Sequence, residues 1–164
     1  MFFPRIVNQW IVTWFGCGKA PWAPGTAGSI GALPLCWLVA EHAPLAIRIS
    51  VALGMTAIAI LAAAQDQKTS SVFDPSYVVV DEVAGMLWST LFISPTALSL
   101  FVAFVFFRIF DIVKPFPAKR FDRLSKTAPA WFQRGAFIIL DDVFAGFYAA
   151  GATALFLHFF VGRI

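Results

Sequence analysis

The sequence predicts an all-α fold: an integral membrane helical bundle of about five hydrophobic segments, preceded by an N-terminal interfacial helix. Three observations carry this. Hydrophobic residues make up 60% of the 164-residue chain and charged residues only 13%, against roughly 25% charged in soluble domains. Mean hydropathy is +0.80. The apolar residues fall in long runs, and threading those runs through a bilayer leaves most cations on one side.

Met1–Phe15 is apolar with two tryptophans and Arg5; it is short of the roughly 20 residues that a span needs, so it is expected in the interface. Gly16–Ser29 carries four glycines and two prolines and is read as a structured loop rather than a regular helix. The first hydrophobic segment, about Ile30–Ala40, contains Pro34 and ends at Glu41-His42-Ala43-Pro44, and the second, Leu45–Ala64, contains Arg48. A polar connection, Gln65–Tyr77, holds Asp66, Lys68 and Asp74. Val78–Val113 is too long for one helix, and Ser94-Pro95 divides it. Lys114–Arg134 is a basic loop with six cations against one acid, and Ala136–Val161 is the last segment.

Five segments with the amino terminus inside put Lys19, Lys68 and the 114–134 loop in the cytoplasm, while Glu41-His42 and Ser94-Pro95 face out. Arg48 and Arg163, near outer ends, are the exceptions. No cleavable leader is read, and residues 1–164 are taken as one domain. The net charge of +3 serves topology, so no nucleic-acid partner is expected; the oligomeric state stays open. Cys17 and Cys36 lack a CxxC spacing, which excludes a zinc site and leaves them as small apolar residues.

The chemistry gathers at the ends of these segments. In Phe106–Pro117 an apolar helix ends in charges and prolines, and Arg108, Asp111 and Lys114 share one face of it. Ion pairing at a helix end would account for those three alone. Asp81-Glu82 and Asp141-Asp142 are acid pairs, each followed within about a turn by a glycine, Gly85 or Gly146, that would let another helix or a ligand approach closely. Capping explains either pair alone, but Asp141 follows Phe137-Ile138-Ile139-Leu140, where an unneutralised acid is expensive. In the five-segment topology the glycine loop and all five acids lie at one membrane face. Five acids at one level need more than the nearby Arg and Lys, and a divalent cation with oxygen ligands, Mg²⁺ first, fits.

The ordered set Pro-Gly-Thr-Ala-Gly-Ser (24–29), Asp-Glu-Val-Ala-Gly-Met (81–86), Phe-Arg-Ile-Phe-Asp-Ile-Val-Lys-Pro-Phe-Pro (107–117) and Leu-Asp-Asp-Val-Phe-Ala-Gly (140–146) resembles the phosphatidylglycerophosphatase A family. The resemblance spans nearly the whole chain, and the Asp74 to Asp81 spacing fits it. It implies a magnesium-dependent phosphatase of the bacterial inner membrane, multi-pass with its active site facing the cytoplasm, which converts phosphatidylglycerophosphate to phosphatidylglycerol and phosphate and so meets membrane lipid on both sides of the reaction. Arg134-Gly135-Ala136-Phe137 departs from it, standing where the family carries a glycine-rich run.

Other phosphatase chemistries fail on the residues. A C-x5-R nucleophile is missing, because Ala23 and His42 stand six past Cys17 and Cys36. Both histidines, His42 and His158, are predicted at the outer face; no Asp-x-Asp occurs; and Gly16-Cys17-Gly18-Lys19 meets Ala20 where a P-loop needs Ser or Thr. Metal-assisted attack by water remains. Asp81, Glu82, Asp111, Asp141 and Asp142 are the candidate metal ligands and catalytic acids, with Asp66 and Asp74 assigned to a solvated loop. Lys19, Gly25, Thr26, Ser29, Arg108 and Lys114 are the candidate phosphate-binding residues, set against a tight turn for the glycines and an N-cap for Thr26 or Ser29. Arg120 and Arg123 are assigned to anionic headgroups. The rival reading is a small cation transporter or channel subunit using membrane carboxylates; the clustering of the acids at one face speaks against it.

Overall fold

The computed structural model describes residues 1–70 and 75–162. Seven α-helices order them: α1 (Arg5–Val12), α2 (Pro24–His42), α3 (Leu45–Thr69), α4 (Val80–Ser89), α5 (Ala97–Val113), α6 (Ala118–Thr127) and α7 (Trp131–Phe156). No strand occurs among the described residues. The central element is α7, with α3, α4, α5 and α6 packed around it and α2 lying against α4.

Among the described residues, two helices are long and apolar enough to cross a membrane: α3, and α7 with its continuation to Phe160. In the most apolar window of α3 only 17% of the residues are buried, so its hydrophobic surface is not the core of a soluble fold. The turn at Ser94-Pro95 divides α4 from α5 as expected, but α4 has only ten residues, about 15 Å of helix. A Thr96 capping box starts α5: the Thr96 hydroxyl accepts from the Ser99 amide at 3.1 Å and Ser99 Oγ accepts from the Thr96 amide at 2.9 Å.

The glycines after the two acid pairs do what their spacing suggested. A Cβ on Gly146 would overlap the Gly85 carbonyl oxygen, and one on Gly85 would lie 2.7 Å from the Asp142 carbonyl oxygen. Only glycine lets α4 and α7 close to this separation, and that closure brings the acid pairs together.

Three boundaries differ from the sequence reading. The loop expected over Gly16–Ser29 ends early, because α2 begins at Pro24; proline suits the first helical position, where no N–H is needed. The polar connection begins late, because Gln65–Thr69 complete α3. Its residue Asp74 lies outside the described residues, as does Arg163. The basic loop contains α6, whose Phe121 packs on Phe144 of α7 with ring centroids 5.3 Å apart. Arg134–Phe137 is helical and part of α7.

Arg48, a lone cation near the far end of α3 in the sequence reading, ties three elements together. Its Nε donates to Ala43 O at 2.8 Å, its Nη1 to Leu91 O at 3.2 Å and Ile93 O at 3.0 Å, and its Nη2 to Ala40 O. The α2–α3 hinge and the α4–α5 turn are thereby joined at one end of the bundle.

Candidate active site

At the opposite end, five parts of the chain enclose a cavity of about 420 Å³: the first turn of α2, residues 75–78, the start of α4, the end of α5 and the middle of α7. Asp81 and Glu82 occupy the first turn of α4, where the helix dipole favours acids. Asp141 and Asp142 enter from α7, 5% and 3% exposed. Asp81, Glu82 and Asp142 each present a carboxylate oxygen, and the three atoms lie within 4.8 Å of one another. Glu82 Oε2 is buried without a hydrogen-bond partner among the described residues.

The other two acids are held by cations. Asp111 Oδ2 lies 2.7 Å from Arg108 Nη1, and Asp141 Oδ2 lies 2.6 Å from Lys114 Nζ. Arg108 also approaches Glu82 Oε1 at 3.8 Å and donates to Ser29 Oγ at 3.4 Å, so its guanidinium spans α2, α4 and α5. Lys114 ends α5 in a left-handed conformation (φ 47°) and reaches Asp122 Oδ1 on α6 at 2.9 Å. Burial would lower the Lys114 pKa, but the neighbouring Asp141 carboxylate outweighs it and holds Lys114 above the ordinary lysine value. For Asp122 burial acts upward, and hydrogen bonds from Lys114 and Lys126 win, keeping it below the ordinary carboxylate value.

The first turn of α2 faces these acids. A Cβ on Gly25 would overlap Glu82 Oε1 and lie 3.4 Å from Arg108 Nη1, so any larger residue here would make the Glu82 carboxylate shift. The Gly25 and Thr26 amides belong to the helix's first turn and have no intrahelical acceptor, whereas the Ala27 amide bonds Ala23 O at 3.1 Å. Neither Thr26 nor Ser29 is an N-cap, since α2 is capped by Ala23 without a side-chain bond. Ser29 is fully buried and donates to Gly25 O at 2.9 Å; it meets the site only through Arg108. Thr26 is half-buried and does not line the cavity.

Lys19 is elsewhere, in a groove beside α1 with Arg5, Trp10 and Phe15. Asp66 is not in a solvated loop: it is 2% exposed and accepts from Tyr77 Oη at 3.0 Å and Gln9 Nε2 at 3.3 Å. The residue the sequence reading missed is Asp122, which shares Lys114 with Asp141. Its signal was the spacing of Ala118, Phe121 and Ser125, one face of a helix inside what reads as a basic loop.

Fold and site together define a membrane-associated helical protein whose acids and cations, distant in sequence, share one cavity. Residues 10–157 match the family model described as Phosphatidylglycerophosphatase A. The chain is 34% identical over 163 residues to Phosphatidylglycerophosphatase A of Escherichia coli K12, covering 97% of this chain and 87% of that protein. It is 32% identical over 140 residues to the Haemophilus influenzae protein of the same name, covering 82% and 79%. A Bacteroides thetaiotaomicron protein, provisionally named a phosphatidylinositol-3-phosphatase, is 35% identical over 156 residues, covering 89% and 91%. No solved structure matches the chain. The chain belongs to the phosphatidylglycerophosphatase A family, as its motifs implied, and is a phosphatase.

Proposed function

We propose that this phosphatase hydrolyses the phosphomonoester of phosphatidylglycerophosphate, releasing phosphatidylglycerol and inorganic phosphate in phospholipid biosynthesis. The observation that carries the reading is the single cavity in which the motifs around Gly25, Asp81-Glu82, Arg108–Lys114 and Asp141-Asp142 meet, in a chain of this family. A transporter needs polar groups stepping across the bilayer; the cavity's acids gather at one end of the bundle.

The donors fit Mg²⁺: three carboxylates converge, one buried Glu82 oxygen lacks a proton donor, and the acids outnumber the cations. When bound, Mg²⁺ polarises a phosphoryl oxygen and makes bound water a nucleophile at neutral pH. Asp81, Glu82 and Asp142 would hold it. Asp111 and Asp141 aim Arg108 and Lys114, whose charges balance the dianionic phosphate, and the Gly25 amide adds a donor at the helix N-terminus. Ser29 positions Arg108. Lys19 and Thr26 are left outside this assignment. In detergent, purified protein is expected to release phosphate from phosphatidylglycerophosphate with Mg²⁺ and to stop in EDTA. Release that persists in EDTA would remove the metal, and faster release from phosphatidylinositol 3-phosphate would change the substrate.

The chain is placed in a bacterial inner membrane as a multi-pass protein with this cavity toward the cytoplasm and α1 in the interface. Support comes from Arg48, which gathers Ala40, Ala43, Leu91 and Ile93 at the end away from the basic 114–134 stretch. In a background without Cys17 and Cys36, cysteines at Ser94 and Thr127, both exposed, are expected to label from opposite sides, Thr127 from the cytoplasm. Ser125 is unsuitable because it is 2% exposed. Labelling of both from one side would overturn the five-segment arrangement.

A further inference from the structure

Lys19 lines a groove of about 360 Å³ between α1 and the turn that follows it, with Arg5 as a second cation and Trp10 and Phe15 as an aromatic wall. Both cations are exposed, and neither meets a carboxylate among the described residues. Beside them, the first turns of α1 send apolar side chains outward. Asn8 is 4% exposed and Gln9 bonds Asp66, whereas Ile6 and Trp10 are 74% and 53% exposed. An outward apolar face next to cations suits the level of lipid headgroups.

The turn adds an independent observation. Trp14 and Phe15 both take left-handed backbone conformations, φ 44° and 54°, which non-glycine residues rarely adopt. Trp14 is pinned inward, its Nε1 donating to Gly31 O at 2.9 Å, and Phe15 is thrown out to the lip of the groove, 69% exposed. The Phe15 ring thereby stands beside Trp10, with centroids 6.2 Å apart, at the edge of the groove.

We infer that this groove is a phospholipid site separate from the catalytic cavity, seating the phosphodiester of an anionic phospholipid between Arg5 and Lys19, with Trp10 and Phe15 against its glycerol and upper acyl chains. Two unpaired cations complement a net negative headgroup and repel the ammonium of a zwitterionic one. The seat is linked to the active site through a relay of side chains. Gln9 bonds Asp66, Asp66 accepts from Tyr77, and the neighbours of Tyr77, Ser76 and Val78, line the catalytic cavity. The inference stands without any particular assignment of the catalytic acids.

Native mass spectrometry of the delipidated full-length protein tests it, with dioleoyl phosphatidylglycerol or dioleoyl phosphatidylcholine added back. Wild type is expected to retain phosphatidylglycerol about tenfold better, a preference that falls to about twofold or less in the Arg5→Ala/Lys19→Ala pair and survives in Arg5→Lys/Lys19→Arg. Lys19→Glu alone, at an exposed position, gives the same loss should the double variant fold poorly. Equal retention of both lipids by wild type overturns the site. So does a preference that survives Arg5→Ala/Lys19→Ala, or one abolished instead by Lys119→Ala/Arg120→Ala/Arg123→Ala, which would move the seat to α6.

Discussion

Asp142→Asn is expected to lower phosphate release by about 10³-fold and to raise the Mg²⁺ concentration needed for half-maximal rate, while the protein still inserts. The same pair of effects is expected for Glu82→Gln. Both residues belong to the trio whose oxygens lie within 4.8 Å of one another, so with the proposed Mg²⁺ held there, losing one carboxylate charge would weaken its binding directly. Arg108→Ala is expected to behave differently. Its guanidinium is held by Asp111 at 2.7 Å and faces the first turn of α2, so its loss lowers turnover about 10²-fold, on lipid and on a short-chain soluble phosphomonoester alike, with little change in the Mg²⁺ requirement. Asp111→Ala and Asp141→Ala, which misplace Arg108 and Lys114, should follow Arg108→Ala. Mg²⁺ titrations at saturating substrate separate the two groups. A normal metal requirement in both Asp142→Asn and Glu82→Gln would sink the division between metal-holding and cation-aiming acids, and near-normal turnover in Asp142→Asn would sink the site.

The grouping beneath this prediction, three acids that converge and two paired with cations, was not legible in the sequence, which offered five acids as one set. The sequence shows the spacing of Arg108, Asp111 and Lys114 on a helix and the glycine after each acid pair, and both features carry through to contacts: Arg108 with Asp111, Gly85 with Gly146. It does not show that Lys114 turns back through a left-handed residue to reach Asp141, nor that Asp122 takes the other side of its ammonium. Those depend on α6, whose ten residues hold five charges and read as a solvated loop until Phe121 is seen packed on α7. The position of Lys19 was hidden for a related reason. The sequence offers it as a phosphate-binding cation, and the left-handed stretch at Trp14, Phe15 and Gly16 directs that turn to a groove at the side of α1. The glycines of 24–29 read as loop-forming; Gly25 is helical and leaves room for the Glu82 carboxylate. Composition reports that glycine is present, and only packing reports which atom it makes room for.

Arg48→Ala is expected to be the most damaging substitution outside the active site, lowering stability by about 3 kcal/mol or more, since charge-assisted hydrogen bonds contribute about 1.5–3 kcal/mol each and buried acceptors left unpaired add a penalty. By sequence Arg48 is a blemish in an apolar segment and an exception to the charge bias. By structure it serves four carbonyl oxygens, those of Ala40, Ala43, Leu91 and Ile93. Ala40 lies in the last turn of α2 and Ala43 is its C-cap, where carbonyls lack intrahelical donors; Leu91 and Ile93 belong to the turn after the short α4. Arg48 is half-buried, so water cannot replace the guanidinium as freely as at an open surface. Arg48→Lys should recover only part of the loss, because an ammonium cannot spread its donors over four acceptors as the planar fork does. In detergent, thermal unfolding of the alanine variant is expected about 6–12 °C below wild type, with the lysine variant between them. Catalysis offers a second readout: α4 carries Asp81 and Glu82 at its other end, so turnover should decline with the loosening of this helix while the Mg²⁺ requirement of the folded fraction stays normal. An unfolding midpoint for Arg48→Ala within about 2 °C of wild type would show that Arg48 does not hold the far end of the bundle together.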